Sequence, residues 1–201
     1  ASNVDTIRGK HANQHIPQIT GALEMFRGTG ELPYYRIADN FWDIATNGYM
    51  YAIGGVARAR TPNNAESLTA EPDSLWENGF ASGGQNETCC TYNLLKLDRQ
   101  LFMFDQSAKY MDHYELGLYN HILASVAEDN AGNTYHVPLN PGAQKQFGKA
   151  ALDKGYKRVM VIAEDYAFPY SQVQGFMTEY CKLGGKVPVK AWVPLGGKDY
   201  S

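Results

Sequence analysis

The stretch Asn86-Glu87-Thr88-Cys89-Cys90-Thr91-Tyr92-Asn93 leads into the clearest amphipathic helix of the chain. Apolar side chains then recur every three or four residues, at Cys90, Leu94, Leu97, Leu101 and Phe104. This spacing places them on one helical face. Because carboxylate and thiol groups stand at the start of the same helix, the stretch is informative about both the fold and the candidate site.

Three further stripes with helical spacing lie outside this stretch. They are Ile16, Ile19, Leu23 and Phe26, closed by Gly28; Tyr34, Ile37, Ala38, Phe41, Ile44 and Ala45, opened by Pro33 and closed by Asn47-Gly48; and Tyr110, Tyr114, Leu118, Ile122 and Val126. Residues between Gly54 and Gly84 carry turn signals instead. The pattern predicts helices joined by long loops, as in an α/α toroid or a helical bundle.

The end of the chain follows a different pattern. The continuous apolar run Val159–Ala163 is typical of a buried parallel strand, and helical spacing follows over Val173–Leu183. Val187, Val189, Ala191 and Val193 then alternate with other residues, as in a second strand. We therefore predict a mostly α fold, a partial (α/α)6-toroid-like segment, followed by a short α/β segment of β-α-β type.

The charge composition also changes between these two parts. Residues 1–148 contain 10 Lys and Arg against 16 Asp and Glu, a net charge of −6. Residues 149–201 contain 8 against 5, a net charge of +3. The turn-rich stretch Pro138–Gly148 separates them, so we predict two segments, 1–148 and 149–201.

The overall composition excludes several classes of protein. With 44% hydrophobic and 19% charged residues the chain is not disordered, and 201 residues can bury a core. No apolar run is long enough to span a membrane, and a net charge of −3 gives no reason to expect nucleic acid. Three cysteines exclude a disulfide-dense scaffold. Ala1–Lys10 has no apolar region of a signal peptide, so none is expected in this chain, and localisation stays open.

Glu87 and Cys89 are candidate ligands of a zinc ion, which accepts both carboxylate and thiolate. A helix N-terminus also stabilises a thiolate, which makes Cys89 and Cys90 candidate nucleophiles. The alternatives are that Cys90 belongs to the core, that Cys89 is an incidental free thiol, or that the two form a vicinal disulfide.

Two further pairs of residues are candidates for chemistry. Glu66 and Glu71 lie in the acidic loop before this helix, where a protonated carboxyl could act as the general acid of a glycosidase; a solvated acidic loop is the alternative. His11 and His15, four residues apart, could form a metal pair, or they could be two surface or packing histidines.

The chain resembles the β-L-arabinofuranosidase-like glycoside hydrolases of families 127 and 146 over roughly residues 8–148. The motifs that carry the resemblance occur in the order of the family. They are His11-Ala12-Asn13-Gln14-His15-Ile16-Pro17, Thr29-Gly30-Glu31, Ala38 with Phe41-Trp42, Tyr51 with Gly54-Gly55, Glu87 to Leu97, Tyr114-Glu115 with Leu118 to Leu123, and Pro138-Leu139 with Pro141-Gly142.

The resemblance implies an (α/α)6 barrel with a zinc-thiolate site. It implies Glu66 as the general acid/base, with Glu71 as second choice, and Glu87 and Cys89 as two zinc ligands. His11 would contact the sugar, and His15 and Tyr92, in the same motifs, are further candidates for substrate contact. The family takes its nucleophile from a later Cys-Cys pair, which does not occur in this chain after Gly148.

Residues of roughly 149–201 resemble part of the second lobe of amino-acid-type periplasmic substrate-binding proteins of ABC transporters. The resemblance rests on Gly155 to Ala167, Gly175-Phe176, Gly184 to Val187 and Pro194 to Ser201. It implies ligand contacts from Asp165 and Tyr166, which follow the first strand, and it indicates a chimeric chain.

These observations leave three hypotheses about function. The first is a glycoside hydrolase of arabinofuranosidase type with an incomplete zinc-thiolate site, and the second is a small-molecule-binding or non-catalytic chimeric protein. The third is a hydrolase of unrelated specificity such as an esterase, although no Gly-x-Ser-x-Gly motif occurs. The expected partners are a carbohydrate or other small molecule and, because half a toroid exposes apolar helix faces, a second copy of the chain.

Overall fold

The computed structural model describes residues 4–57, 66–75, 85–128, 133–145, 157–164 and 167–193. The chain divides into two compact units. Unit 1 comprises Ala1–Ser125 and Tyr135–Lys145, and unit 2 comprises Val126–Thr134 and Gln146–Ser201. Each unit is described by itself.

Unit 1 is mainly helical. Its elements are α1 (Ala12–Thr29), α2 (Leu32–Gly48), β1 (Gln85–Glu87), α3 (Thr88–Phe104), α4 (Ala108–Gly117), a π-helical turn (Leu118–Ile122), a 3-10 turn (Leu123–Ser125) and β2 (His136–Val137). Helix α1 packs on α2 and α3, and α3 packs on α4. Pro33 stands in the first turn of α2, where a missing N–H costs no helical hydrogen bond.

The core of unit 1 forms from the apolar faces that the spacing predicts. Leu94, Leu97 and Leu101 of α3 are fully buried against Ile16 and Leu23 of α1 and their neighbours. Cys90 lies in the same buried stripe. The predicted helix bounds are less accurate than the predicted buried faces. The stripe from Ile16 to Phe26 was closed at Gly28, whereas α1 begins at Ala12 and runs through Gly28 to Thr29.

The fourth stripe does not form one continuous α-helix. After Gly117 the backbone adopts the π-helical turn, in which each backbone hydrogen bond spans one more residue than in an α-helix. As a result His121 is fully buried, while Leu123 and Val126 are 59% and 46% exposed. Nδ1 of His121 lies 2.7 Å from the hydroxyl of Thr91, so the turn is joined to α3.

Strands β1 and β2 form a short antiparallel pair that periodicity could not predict. Gln85 pairs with Val137 and Glu87 with His136, with a register irregularity between them. The N–H of Thr88, the first residue of α3, donates to the carbonyl of Tyr135 over 3.0 Å. The pair thereby brings residue 135 beside the start of α3.

Unit 2 contains the predicted β-α-β pattern. Strand β3 (Arg158–Glu164) lies parallel to β4 (Lys186–Val193), and α5 (Ala167–Lys182) connects them. Ile162 pairs with Ala191 and Glu164 with Val193. The prediction of a mostly α fold followed by a short α/β segment is therefore confirmed.

In the part of the chain that the structure describes, none of the helices combines the length and apolar character needed to cross a bilayer.

Candidate functional site

The start of α3 is shaped by an unusual backbone at Asn86. Its φ is 56°, a left-handed conformation that few residues other than glycine adopt. The N–H of Asn86 donates to the carbonyl of Ala57 over 2.9 Å, and its side chain fills the space that a Cβ at Gly55 would need. These contacts turn the chain so that Glu87, the next residue, is fully buried.

Glu87 and Cys89 meet at the hydroxyl of Tyr135. This hydroxyl donates to Oε1 of Glu87 and lies 2.9 Å from Sγ of Cys89. The thiol of Cys90 donates to the other carboxylate oxygen, Oε2, over 3.1 Å. A carboxylate and a half-buried thiol therefore face the same hydroxyl group.

The electrostatics of this cluster favour the neutral forms of its acids. Burial raises the pKa of Glu87, and hydrogen bonds from Tyr135 and Cys90 oppose this effect. Burial, with the nearby charge of Glu87, raises the pKa of Cys89 to about 11 and raises that of Cys90 well above its ordinary value. Both thiols are thus protonated at neutral pH, and a bound cation would reverse this for a thiol in contact with it.

Glu66 lies on a segment that runs beside the start of α1. The N–H of Ala12 donates to the carbonyl of Glu66 over 2.7 Å, and His11 forms a β-bridge with Ser67. Glu66 also has a left-handed backbone, with φ 63°. Such a conformation in a non-glycine residue is sustained by its surroundings and is common at functional sites.

The side chain of Glu66 faces the N-terminal residues of α1. Its Oε2 lies 3.3 Å from Nε2 of His11 and 3.5 Å from the amide nitrogen of Asn13. The carboxylate side chain is 27% exposed, so it can reach a ligand from solvent. The other ring nitrogen of His11, Nδ1, is buried without a hydrogen-bond partner among the described residues.

A polar contact also joins the cluster around Glu66 to α3. The amide of Asn93 donates to Oδ1 of Asn13 over 2.7 Å. The charge of Glu66 contributes to the raised pKa values of Glu87 and Cys89. Residues that are far apart in sequence therefore lie near the N-terminal ends of α1 and α3, which pack on each other.

Other candidates from the sequence lie away from this site. Oε2 of Glu71 accepts a hydrogen bond from Nη1 of Arg8 over 2.8 Å, and its side chain is 66% exposed. Nδ1 of His15 donates to the carbonyl of His11 over 2.9 Å, which turns it back along α1. Tyr92 is exposed, with the Lys96 ammonium 4.9 Å from its ring centre. Asp165 and Tyr166 lie outside the described residues.

The donors of this cluster fit zinc in kind but not in number. Zinc usually takes four ligands from cysteine, histidine and carboxylate groups. Glu87 and Cys89 supply two, and no group of three or more such side chains is assembled within the described ranges. The third cysteine, Cys181, belongs to unit 2.

The sequence did not single out three residues that make contacts here, namely Tyr135, Asn13 and Asn93. Tyr135 has no motif of its own, since β2 contains only two residues and gives no periodic signal. Asn13 and Asn93 stand next to predicted residues, and their position on helices with apolar stripes is the signal that could have identified them.

Comparisons with known proteins concern the family and the fold of the chain. Residues 1–159 match the catalytic-domain model of the family-127 β-L-arabinofuranosidases. The crystal structure of Ara127N, a family-127 β-L-arabinofuranosidase from Geobacillus stearothermophilus T6, is similar with a TM-score of 0.56 and 22% identity, covering 71% of this chain and 20% of its own. The family-127 β-arabinofuranosidase BT3674 has a TM-score of 0.56 and 25% identity, covering 65% and 19%.

A third solved structure, described as a glycoside hydrolase, has a TM-score of 0.55 and 19% identity, covering 72% of this chain and 26% of its own. No match was found among curated proteins. The chain therefore spans about a fifth to a quarter of the length of the solved structures it resembles. Their helical toroid-like fold agrees with the predicted partial toroid. Because the family model covers most of the chain, this protein belongs to the family of β-L-arabinofuranosidase catalytic domains of glycoside hydrolase family 127.

Proposed function

We propose that unit 1 carries a catalytic site that hydrolyses arabinofuranosides, with Glu66 as general acid/base. The observation that supports this most directly is the position of Glu66, within 3.5 Å of polar nitrogens of His11 and Asn13. A partly exposed carboxyl beside hydrogen-bond donors suits proton transfer to a leaving-group oxygen. His11 and Asn13 would also hold the sugar hydroxyls.

The role of nucleophile falls to Cys89 in this proposal. Cys89 is half-buried and close to the Tyr135 hydroxyl, whereas Cys90 is fully buried in the core. Because the pKa of Cys89 is about 11, the thiol needs a cation beside it to become a thiolate at neutral pH. Glu87 and Cys89 would be two of the ligands of a zinc ion, and zinc, when bound, would supply that charge.

Glu66→Gln tests the general acid/base. The amide keeps the shape of the side chain but cannot transfer the proton, so we expect cleavage of a chromogenic β-L-arabinofuranoside to fall by about 10²–10⁴-fold. The matched control is Glu71→Gln, since Glu71 lies in an exposed ion pair with Arg8. A wild-type chain without measurable cleavage, or a greater loss in Glu71→Gln than in Glu66→Gln, would contradict the proposal.

A second candidate function concerns unit 2, where two parallel strands are joined by a helix. Ligands of such folds bind at the carboxyl ends of the strands. Glu164 and Val193 are paired at that end, and Asp165 and Tyr166 follow Glu164 directly. We propose these two residues as contacts for a small amino-acid-like ligand, in line with the resemblance to substrate-binding proteins.

A thermal-shift screen with free amino acids tests this second candidate. A ligand that binds only the folded chain raises Tm with concentration. We expect the shift to disappear in Asp165→Asn and to persist in Cys89→Ser, which affects only unit 1. If no amino acid raises Tm, or if Asp165→Asn responds as the wild type does, the second candidate fails.

A further inference from the structure

The side chains of Asn93 and Asn13 form a hydrogen bond that joins α3 to the start of α1 beside Glu66. The amide nitrogen of Asn93, Nδ2, donates to Oδ1 of Asn13 over 2.7 Å, and both residues are half-buried. An asparagine amide accepts only at its oxygen and donates only at its nitrogen. Because Oδ1 of Asn13 accepts from Asn93, Nδ2 of Asn13 is turned the other way, toward Oε2 of Glu66.

The two carboxylate oxygens of Glu66 have different surroundings. Oε2 lies 3.5 Å from Nδ2 of Asn13 and 3.3 Å from Nε2 of His11. Among the described residues, none forms a hydrogen bond with Oε1. The backbone of Glu66 is held separately, since its carbonyl accepts from the N–H of Ala12 over 2.7 Å. The contacts at Oε2 therefore decide how the carboxylate is turned and make Oε1 the oxygen that can face a ligand.

A general acid uses such a difference between its two oxygens. In the step that it assists, the C–O bond to the leaving group breaks, the electron pair stays on the leaving-group oxygen, and the proton passes from the carboxyl to that oxygen. Hydrogen bonds to the second carboxyl oxygen stabilise the carboxylate that remains. The distances at Oε2 are long for such bonds, and catalytic hydrogen bonds often shorten only when a substrate is bound.

We propose that Asn93 is a positioning residue for Glu66, which it orients through Asn13 so that Oε2 faces the N–H donors and Oε1 carries the proton to the leaving group. Asn93 acts through Asn13 and does not itself contact the sugar. The inference rests on the proposed function in taking Glu66 as the general acid/base. Misplacing a reacting group by about 1 Å can lower a rate by about 10²-fold, so a residue behind the acid can affect catalysis.

Two leaving groups separate the positioning of an acid from general damage to the fold. The measurement compares kcat/KM for dinitrophenyl and phenyl β-L-arabinofuranosides, because dinitrophenolate leaves without a proton whereas phenolate leaves faster with one. For Asn93→Ala we expect kcat/KM to fall at least about tenfold with the phenyl glycoside and less than about twofold with the dinitrophenyl glycoside. Asn93→Leu, which keeps the branching of the side chain but removes the donor, should show the same pattern.

Asn40→Ala is the matched control, since Asn40 is a half-buried asparagine on α2. It should leave kcat/KM unchanged for both glycosides. A loss in Asn93→Ala that is equal for the two leaving groups, or no loss with either, would overturn the inference. Glu66→Gln should show the same dependence on the leaving group with a larger loss; without that dependence Glu66 is not the acid, and the proposed function fails.

A second measurement decides whether the contact exists without any substrate. NMR spectra of the side-chain NH2 groups include that of Asn13, which is assigned by its loss in Asn13→Ser. Glu66→Gln should move this signal in the wild-type background, and the displacement should fall to less than about half in an Asn93→Ala background, where Asn13 is no longer turned toward residue 66. Equal displacement in both backgrounds would refute the role of Asn93. If the wild type cleaves neither glycoside but the displacement depends on Asn93, the proposed function fails and the positioning contact stands.

Discussion

Two buried histidines of unit 1 have opposite charge preferences, which follow from their neighbours. Burial lowers the pKa of His121 to about 4, and the nearby Lys145 acts in the same direction. At His113 burial also favours the neutral form, but the hydrogen bond and charge of Asp98, together with the Gly54 carbonyl, outweigh it and raise the pKa. His113 is thus the histidine of this pair that favours the charged form.

The geometry around His113 explains its charge. Nδ1 lies 2.7 Å from Oδ2 of Asp98, and Nε2 lies 3.1 Å from the carbonyl of Gly54. Both partners accept hydrogen bonds, so a ring that donates from both nitrogens satisfies them. The indole of Trp42 donates to the other oxygen of Asp98, which joins α2, α3 and α4 in one network.

His113→Gln should destabilise unit 1 by about 3–5 kcal/mol at pH 6, because it leaves the Asp98 carboxylate buried without its cation. The pKa of His113 is raised in the folded state, so its stabilisation is complete below the unfolded value of 6.5 and is lost as pH rises through the folded value. Urea unfolding of wild type and variant across pH 6–9 measures the difference.

His15→Gln, at the half-buried start of α1, is the control for loss of a histidine without this network. We expect the difference in unfolding free energy between wild type and His113→Gln to shrink as pH rises. A difference that grows with pH would show that His113 does not carry the stabilising proton. From sequence, His113 is only one polar residue on an apolar stripe; its partners come from other elements, so its charge was not predictable.

At the scale of elements, Gly54 and Gly117 allow a close approach between a turn and the end of α4. A Cβ at Gly54 would lie 2.8 Å from the Cα of Gly117, and a Cβ at Gly117 would lie 3.1 Å from Leu95 of α3. The turn at Gly54 and the end of α4 therefore touch through backbone atoms. Gly54 also has a φ of 90°, which side chains rarely tolerate.

Gly54→Ala should lower the free energy of unfolding by about 2–5 kcal/mol, from backbone strain and the clash together. Gly142→Ala is a matched control, since Gly142 has a φ of 78° and a Cβ added there would have no atom within 4 Å. Strain alone should cost about 1–2 kcal/mol at that position. Equal losses at both positions in denaturant titrations would mean that the contact with Gly117 contributes nothing.

Helices α1 to α3 were predictable because their apolar faces repeat over many turns, as Leu94, Leu97 and Leu101 illustrate. The π-helical turn and the pair β1–β2 were not, because a single wide turn and strands of two or three residues carry no period. The candidate site depends on that pair, which brings Tyr135 to Glu87. The sequence therefore indicated Glu66, Glu87 and Cys89, but not the contacts of Glu87 and Cys89 with the Tyr135 hydroxyl.

At the scale of the whole molecule, the boundary that the charge composition predicts differs from the division into two compact units. The sequence predicts a boundary near Gly148, where composition and periodicity change together. The units divide after Lys145, but Val126–Thr134 also belongs to unit 2. The family match continues to residue 159, into β3. Charge composition is counted over consecutive residues, whereas a compact unit can include a segment from elsewhere in the chain. The composition therefore did not predict that Val126–Thr134 belongs to unit 2.

The burial of Asn86 has a consequence for producing the protein. Asn86-Glu87-Thr88 has the form of an acceptor sequence for N-linked glycans. In the folded chain the Asn86 side chain has no accessible surface and is pressed against Gly55. A glycan added to the nascent chain in a eukaryotic secretory host would have no room in this fold, so a host without N-glycosylation is the appropriate source of native protein.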